Sequence, residues 1–572
     1  MSVVPVSLGH HYAVSAGHDQ AALASFEVLE AGGNAVDAAV AGCLTLCVVY
    51  SDQVSLAGVA PMMLYLADSN EVITLAGVGG WPKSLDVDAY IKRHNGQIPE
   101  GLQRTVVPAA PDAYVQVLQR FGTLSFADVA ARAIRCARDG FPVHNVMRDY
   151  IRQYHESYRQ FPGNMAIWMP DGEVPEVGRK LVQTDLADTL QHLCDQERAA
   201  TGDRVQKLEA VRTAFYEGDI AQAILNHQRA HDGLLSASDL KDFRCQLLPS
   251  LSRTYRFAAE EVEIHACGAW SQGPAMLEAL AILEHFDVTE LGFGTDQYLH
   301  VMAEALKISL SDREAYIGDP DFVDVPVETL MSRPYGQQRA AEIDPHVASP
   351  GMPAPGQIDG YRPFLSPLME RKTPEKLPAD TSIVAVVDGH GNAVCVTPSD
   401  TSWDTPVVPG TGLAVSSRGD QARAVRGHPA CIAPGKRPRL TPNPCFARRE
   451  GRWIMPFGTP GGDAQIQANV QMLHAYFSFQ MELQEAVEAP RLMTHSHPDS
   501  FAPHHASPGR LTVEGRFDDA TVEGLAALGH KVERLADWTH AMAGICAVRR
   551  DLASGQLQAA ADPRRWSRSV GW

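Results

Sequence analysis

The chain has 572 residues, 45% of them hydrophobic and 20% charged, with a formal charge of −19. A chain of that length carries one large layered domain or a few ordinary ones, and the composition is that of a folded chain, not a disordered one. With acidic residues in surplus, no basic face is left to displace counterions from phosphates, which excludes nucleic acid as a general partner.

The opening residues, MSVVPVSLGHHYAVSAGHDQ, have no basic stretch followed by an apolar core. No apolar run reaches the roughly 18 residues of a membrane span. The expectation is no secretory signal, no membrane partner and a cytoplasmic protein. Ten cysteines without a CxxC pair read as reduced, mostly buried thiols. Between residues 16 and 49, AALASFEVLEAGGNAVDAAVAGCLTLCVV predicts a helix, a break at Gly32 and Gly33, and a second, alanine-rich helix. No repeat of solenoid period is present. The middle third contains LADTLQHLCDQ, MLEALAILEHF and QYLHVMAEALKISLSDREAY, whose apolar residues recur every three or four positions and predict helices with one buried face.

Eight prolines fall between Pro345 and Pro378. Proline can continue neither a helix nor a central strand, so residues 345–380 predict an extended, exposed linker. Next come two β-rich runs, Ser382–Val387 and Ala393–Thr397, around a turn containing Gly389, Gly391 and Asn392; this is a hairpin, apolar on both faces and so covered on both sides. A linker ending at Asp380 and a threonine opening a buried strand suit self-processing. The Thr381 hydroxyl would attack the preceding carbonyl, the ester would hydrolyse, and a free N-terminal Thr381 would remain. Its α-amine, with a reference pKa of about 7.7–8.0, can take the hydroxyl proton during attack on a substrate. A threonine that merely opens a strand has the same placement.

The sequence TPGG, residues 459–462, lies between the strand-like RWIMPFG and the helix-like AQIQANVQMLHAYF. Consecutive glycines there can aim two backbone N–H groups at one point as an oxyanion hole, or simply make a strand-to-helix turn. AWSQG at 269–273 approximates a serine-hydrolase elbow around Ser271, but its first glycine is replaced and Pro274 follows at once. HSHPDSFAPHH, residues 495–505, gathers histidines that could hold zinc or nickel; interrupted by proline, it reads instead as a solvated loop with no metal.

TSIVAVVDGHGNAVCVTPSD, PGKRPRLTPNP and TPGGDAQI stand in the order and roughly the separation of the γ-glutamyltransferase family. EAGGNAVDAAVA, FYEGDIAQAI, GLLSASDLKDF, DREAYIGDPDF and the closing AADPRR extend the resemblance over essentially the whole chain. The resemblance implies an α+β fold, the four-layer αββα N-terminal-nucleophile sandwich, built from both parts of a precursor cleaved into a heavy segment 1–380 and a light segment 381–572. It further implies that the two segments stay associated, that no cofactor is needed, and that a higher oligomer can form. By position, Thr381 matches the nucleophile, Ser399 its supporting hydroxyl, and Gly461 and Gly462 the oxyanion pair. Asp420 matches the carboxylate that holds a donor's α-amine, and Thr441 one of two serines at the donor carboxylate.

The departures bear on substrate. The companion serine is Leu440, the donor-carboxylate arginine is missing from AGVGGWP around Val78, and the histidine two residues after the nucleophile is Ile383. The reaction machinery is kept while the γ-glutamyl clamp is not. Arg418, near Asp420, offers a planar fork suited to a substrate carboxylate, though most arginines are solvated or structural. The expected function is hydrolysis, or acyl transfer to an amine, of a small carboxylate-bearing amide such as an oxamate- or glutaryl-type substrate. A true γ-glutamyltransferase and a catalytically decayed binding protein are the alternatives.

Overall fold

The strand Val384–Val387 pairs with Ala393–Val396 as a hairpin, Ala385 opposite Cys395. Successive strand residues face opposite ways, and here both faces are covered. Val384, Val386, Val394 and Val396 join a core shared with outer helices, while Ala385, Val387, Ala393 and Cys395 join a second core on the other side. The computed structural model describes residues 2–258, 260–371 and 381–572. In it the hairpin is the centre of a seven-stranded antiparallel sheet ordered Arg568–Gly571, Ala13–Ala16, Val384–Val387, Ala393–Val396, Met62–Leu66, Glu71–Ala76 and Gln246–Pro249.

A second seven-stranded sheet runs Ser7–Gly9, Leu557–Ala561, Cys546–Asp551, Trp453–Gly458, Cys445–Arg449, Glu260–Ala266 and Leu251–Phe257. Phe446, Ile454, Cys546 and Val548 face the first sheet in the shared core. Cys445, Ala447, Met455 and Ala547 face away, against the helices Gly273–Leu283, Asp296–Tyr316 and Ala464–Leu473. Helix, sheet, sheet, helix is the αββα sandwich that the resemblance implied. Each sheet takes strands from both sides of residue 381, so neither part closes a sheet alone.

The predicted helical pair forms as Asp19–Glu30 and Ala35–Val49. Gly32 takes φ +89 at the break, and Asn34 accepts hydrogen bonds from the Val36 and Asp37 N–H groups in a reciprocal capping box. The described part of the proline-rich linker differs from expectation: it is strapped to the helix Asp296–Tyr316. Ser311 Oγ donates to the Pro353 carbonyl (2.7 Å), and the Gly356 N–H donates to Asp312 Oδ1 (2.8 Å). Proline prevents regular pairing, but side chains of the helix satisfy the backbone groups instead. Residues 372–380, including Asp380, lie outside the described residues. Ser271 is fully buried, its Oγ donating to the Gly268 carbonyl and accepting from the Gly273 N–H, which uses the hydroxyl within the turn. All ten cysteines are free thiols. No described helix is long and apolar enough to cross a membrane.

Candidate active site

Thr381 sits at the edge of the hairpin, and Ser399 follows the second strand. The backbone holds both: the Ser382 N–H donates to the Pro398 carbonyl (3.0 Å), and Ser399 exchanges hydrogen bonds with Val59 (2.9 and 3.1 Å). This pairing brings Thr381 Oγ1 to 2.8 Å from Ser399 Oγ. Arg418 Nη2 donates to Ser399 Oγ (3.0 Å) from a fully buried position. A guanidinium behind the serine makes its hydroxyl a stronger donor, the polarity that would stabilise negative charge growing on Thr381 Oγ1. Thr381 is fully buried and has φ +78, a region costly for a β-branched residue by about 1–3 kcal/mol.

The glycine pair closes the strand Trp453–Gly458 and precedes the helix Ala464–Leu473. Gly461 has φ +119, which L side chains rarely adopt, and Gly462 has φ +57. The Gly461 carbonyl accepts the Ala464 N–H (2.9 Å). Because a trans peptide sets its N–H opposite its carbonyl, this bond turns the Gly462 N–H away from the helix.

Gly462 lines a cavity of about 600 Å³ together with Arg104, Trp403, Asp404 and Asp420. Arg104 carries no local signal in GLQRTVV, and reading the sequence missed it. Its Nε donates to the Pro99 carbonyl (2.6 Å) and its Nη2 to that of Ile98 (3.1 Å), while Nη1 meets Asp404 at 3.0 Å and Asp420 at 3.8 Å. Burial pushes the Asp420 carboxyl well above the usual carboxylate range, against the pull of Arg418 and Arg104 and with the help of Asp404 and Asp400. Its Oδ1 is buried with no hydrogen-bond partner.

The positions where the resemblance would put a donor-carboxylate clamp lie in packed core. Val78 and Leu440 both point into the core between the sheets. A Cβ at Gly79 would overlap the Val107 carbonyl, and one at Gly80 the Gly435 carbonyl, so no arginine fits there. Those contacts let Val107 donate to the Gly80 carbonyl (3.1 Å), the close packing that carries nearby Arg104 to the cavity. Thr441 is buried and lies off the cavity wall: its Oγ1 accepts from Gln421 Nε2 (2.9 Å), and its carbonyl accepts from Gln272 Nε2, which also reaches the Gly462 carbonyl (3.2 Å).

The histidine run is not the solvated loop expected of it. His495, His497 and His505 line the cavity, and Ser500 is buried beneath them. Burial lowers the His495 imidazole to about 4 and also lowers His497, so both are neutral near pH 7. Among the described residues, none of the groups able to hold a metal comes from this loop; the one trio is His300, Glu304 and His530. There Lys307 Nζ already donates to Glu304 (2.6 Å) and His300 Nδ1 meets His530 Nε2 at 2.9 Å, which describes a buried ion-paired network.

The gamma-glutamyltranspeptidase family profile matches residues 21–572. The chain is 30% identical to the glutathione hydrolase-like YwrD proenzyme of Bacillus subtilis, over 99% of each chain. It is also 30% identical to the acylase ACY 1 proenzyme of a Pseudomonas species, over 90% of this chain and 86% of the relative. A crystal structure of cephalosporin acylase from Bacillus halodurans superposes with a TM-score of 0.85 at 26% identity, covering 100% of this chain and 98% of that one.

Proposed function

The chain belongs to the gamma-glutamyltranspeptidase family and is a hydrolase or acyltransferase acting on amide C–N bonds, and we propose that it works as a self-processed threonine enzyme on amides of short dicarboxylic acids. The observation that carries this reading is the strained Thr381, hydrogen-bonded to Ser399 with Arg418 behind it. Cleavage before Thr381 relieves that strain and yields the associated segments 1–380 and 381–572. The freed amine then takes the Thr381 proton as Oγ1 attacks the substrate carbonyl, the Gly461 and Gly462 N–H groups hold the oxyanion, and water, or an amine acceptor, releases the acyl group.

Substrate choice follows from the cavity. Arg104, on its wall, suits a substrate carboxylate, while Arg418 acts through Ser399. Burial works against a charge on Asp420, which weakens it as a partner for an α-ammonium and disfavours γ-glutamyl donors. A cavity of about 600 Å³ stays mostly empty around an oxamate-sized amide, so a glutaryl-type acyl group fits better. Thr441 supports the turn through Gln272. The test compares kcat/KM on glutaryl and γ-glutamyl anilides. The glutaryl compound is expected to be better by about tenfold, the worth of one charge-assisted hydrogen bond. Equal or better turnover of the γ-glutamyl anilide contradicts the assignment.

A pH profile gives a second check. The amine acts as base only when neutral, so kcat is expected to fall as pH drops through the amine pKa, about 7.7–8.0 in reference compounds. A kcat flat from pH 5 to 9 removes the amine from its role.

A further inference from the structure

Asp463 follows Gly462 directly, and its carboxylate is the point where three elements meet. Ser500 of the histidine loop donates to it twice, from N–H (2.7 Å) and from Oγ (2.6 Å). His497 Nε2 lies 3.5 Å away, and Arg313 of the helix Asp296–Tyr316 forms a salt bridge to it. Burial would raise this carboxyl, but the Arg313 charge and the His497 and Ser500 hydrogen bonds hold it well below the usual range. Arg313 also donates to Gln272 Oε1 (3.1 Å) and to the Pro498 carbonyl (3.3 Å), and Gln272 in turn grips the Gly462 carbonyl. At its far end the loop reaches the substrate side, where the Ala502 N–H donates to the Asp420 carbonyl (3.0 Å). Asp463 thus stands at the cavity wall with its side chain 13% exposed, and its carboxylate is held by several partners in the frame around the glycine turn.

We propose that Asp463 is a positioning residue: by fastening the histidine-rich loop and Arg313 to the turn of Gly461 and Gly462, it fixes the direction of the amides that meet the oxyanion. This rests on the oxyanion reading of the glycine pair. The histidine loop thereby acquires a task, as the strut that joins that turn to the Asp420 side of the cavity. Turning a donor from its line costs more in the transition state, where the oxyanion charge is largest, than in the ground state, so the loss falls on kcat.

The experiment uses the full processed chain and compares Asp463→Asn and Ser500→Ala with wild type on a glutaryl anilide, with thermal melting of each. Asp463→Asn is expected to lower kcat by about 10- to 100-fold and to leave KM within about twofold, less than deletion of an oxyanion donor outright. Ser500→Ala, which keeps the Arg313 ion pair, is expected to lower kcat several-fold with the same split, and it decides the matter if Asp463→Asn does not fold. The double variant is expected to lose no more than Asp463→Asn alone, because both act through one contact. A rise in KM at constant kcat, unchanged kinetics in both variants, or additive losses overturns the proposal while leaving Thr381 as nucleophile. Absence of Thr381-dependent turnover in the wild type removes the reading beneath it as well.

Discussion

Thr381→Ala is expected to remain a single chain and to lose at least about 10⁴-fold in kcat/KM, the scale on which removing a nucleophile acts. Wild type is expected to give two segments of about 41 and 21 kDa, in proportion to residues on either side of the junction. One hydroxyl serves twice in this account, against the preceding carbonyl and then against substrate, so one substitution removes both reactions. Alanine also relaxes the positive-φ strain only in part, since a Cβ remains. Thr381→Ser keeps the hydroxyl and is expected to process, more slowly, because serine lacks the β-branch that makes this backbone costly. Denaturing gels and initial rates on a glutaryl anilide read the outcome. A Thr381→Ala chain that still splits or still turns over contradicts the assignment. A wild type that neither splits nor turns over is what a binding relic of the family gives.

Ser399→Ala is expected to cost about 100-fold in kcat, or about 2.7 kcal/mol in activation free energy. Its Oγ lies 2.8 Å from Thr381 Oγ1 and accepts from Arg418 Nη2 at 3.0 Å. Alanine removes the donor to the attacking oxygen and the acceptor of a buried guanidinium at once. Because the Ser399 hydroxyl is engaged with Thr381 Oγ1 and Arg418, KM is expected to change by less than about threefold. Ser399→Thr, which keeps the hydroxyl, is expected to recover most of the rate. If Ser399→Ala instead raises KM with kcat unchanged, the serine is a substrate contact and the relay described for Arg418 is wrong.

How far these features were legible in the sequence depended on how local they are. The hairpin at Val384–Val387 and Ala393–Val396 follows from β-branched runs around a Gly/Asn turn, and the helix break at Gly32–Gly33 from conformational freedom alone. The layered sandwich was accessible through the resemblance, since its motifs span the chain. The surroundings of the histidines were not. A polar, proline-interrupted run reads as solvated, and only tertiary contacts bury it: those of Asp463 and Arg313, and Arg423, whose Nη1 donates to the Ser500 carbonyl (3.2 Å). Arg104 was invisible for the same reason: its place on the cavity depends on Gly79 allowing a close backbone approach to Val107. Arg418 was readable as a fork near Asp420, but not that its fork turns toward Ser399. The proline-rich linker was readable as irregular, and its attachment to Ser311 and Asp312 was not, because those partners belong to a helix whose visible signal was its apolar face.

The most direct measurement of the central claim is peptide mapping by mass spectrometry of active enzyme quenched in acid during turnover of a glutaryl anilide. The account predicts a light segment that begins Thr381-Ser382-Ile383-Val384, with a fraction of its first peptide carrying the glutaryl mass on Thr381. A light segment with any other first residue, or an acyl mass on Ser271, Ser399 or another side chain, contradicts it.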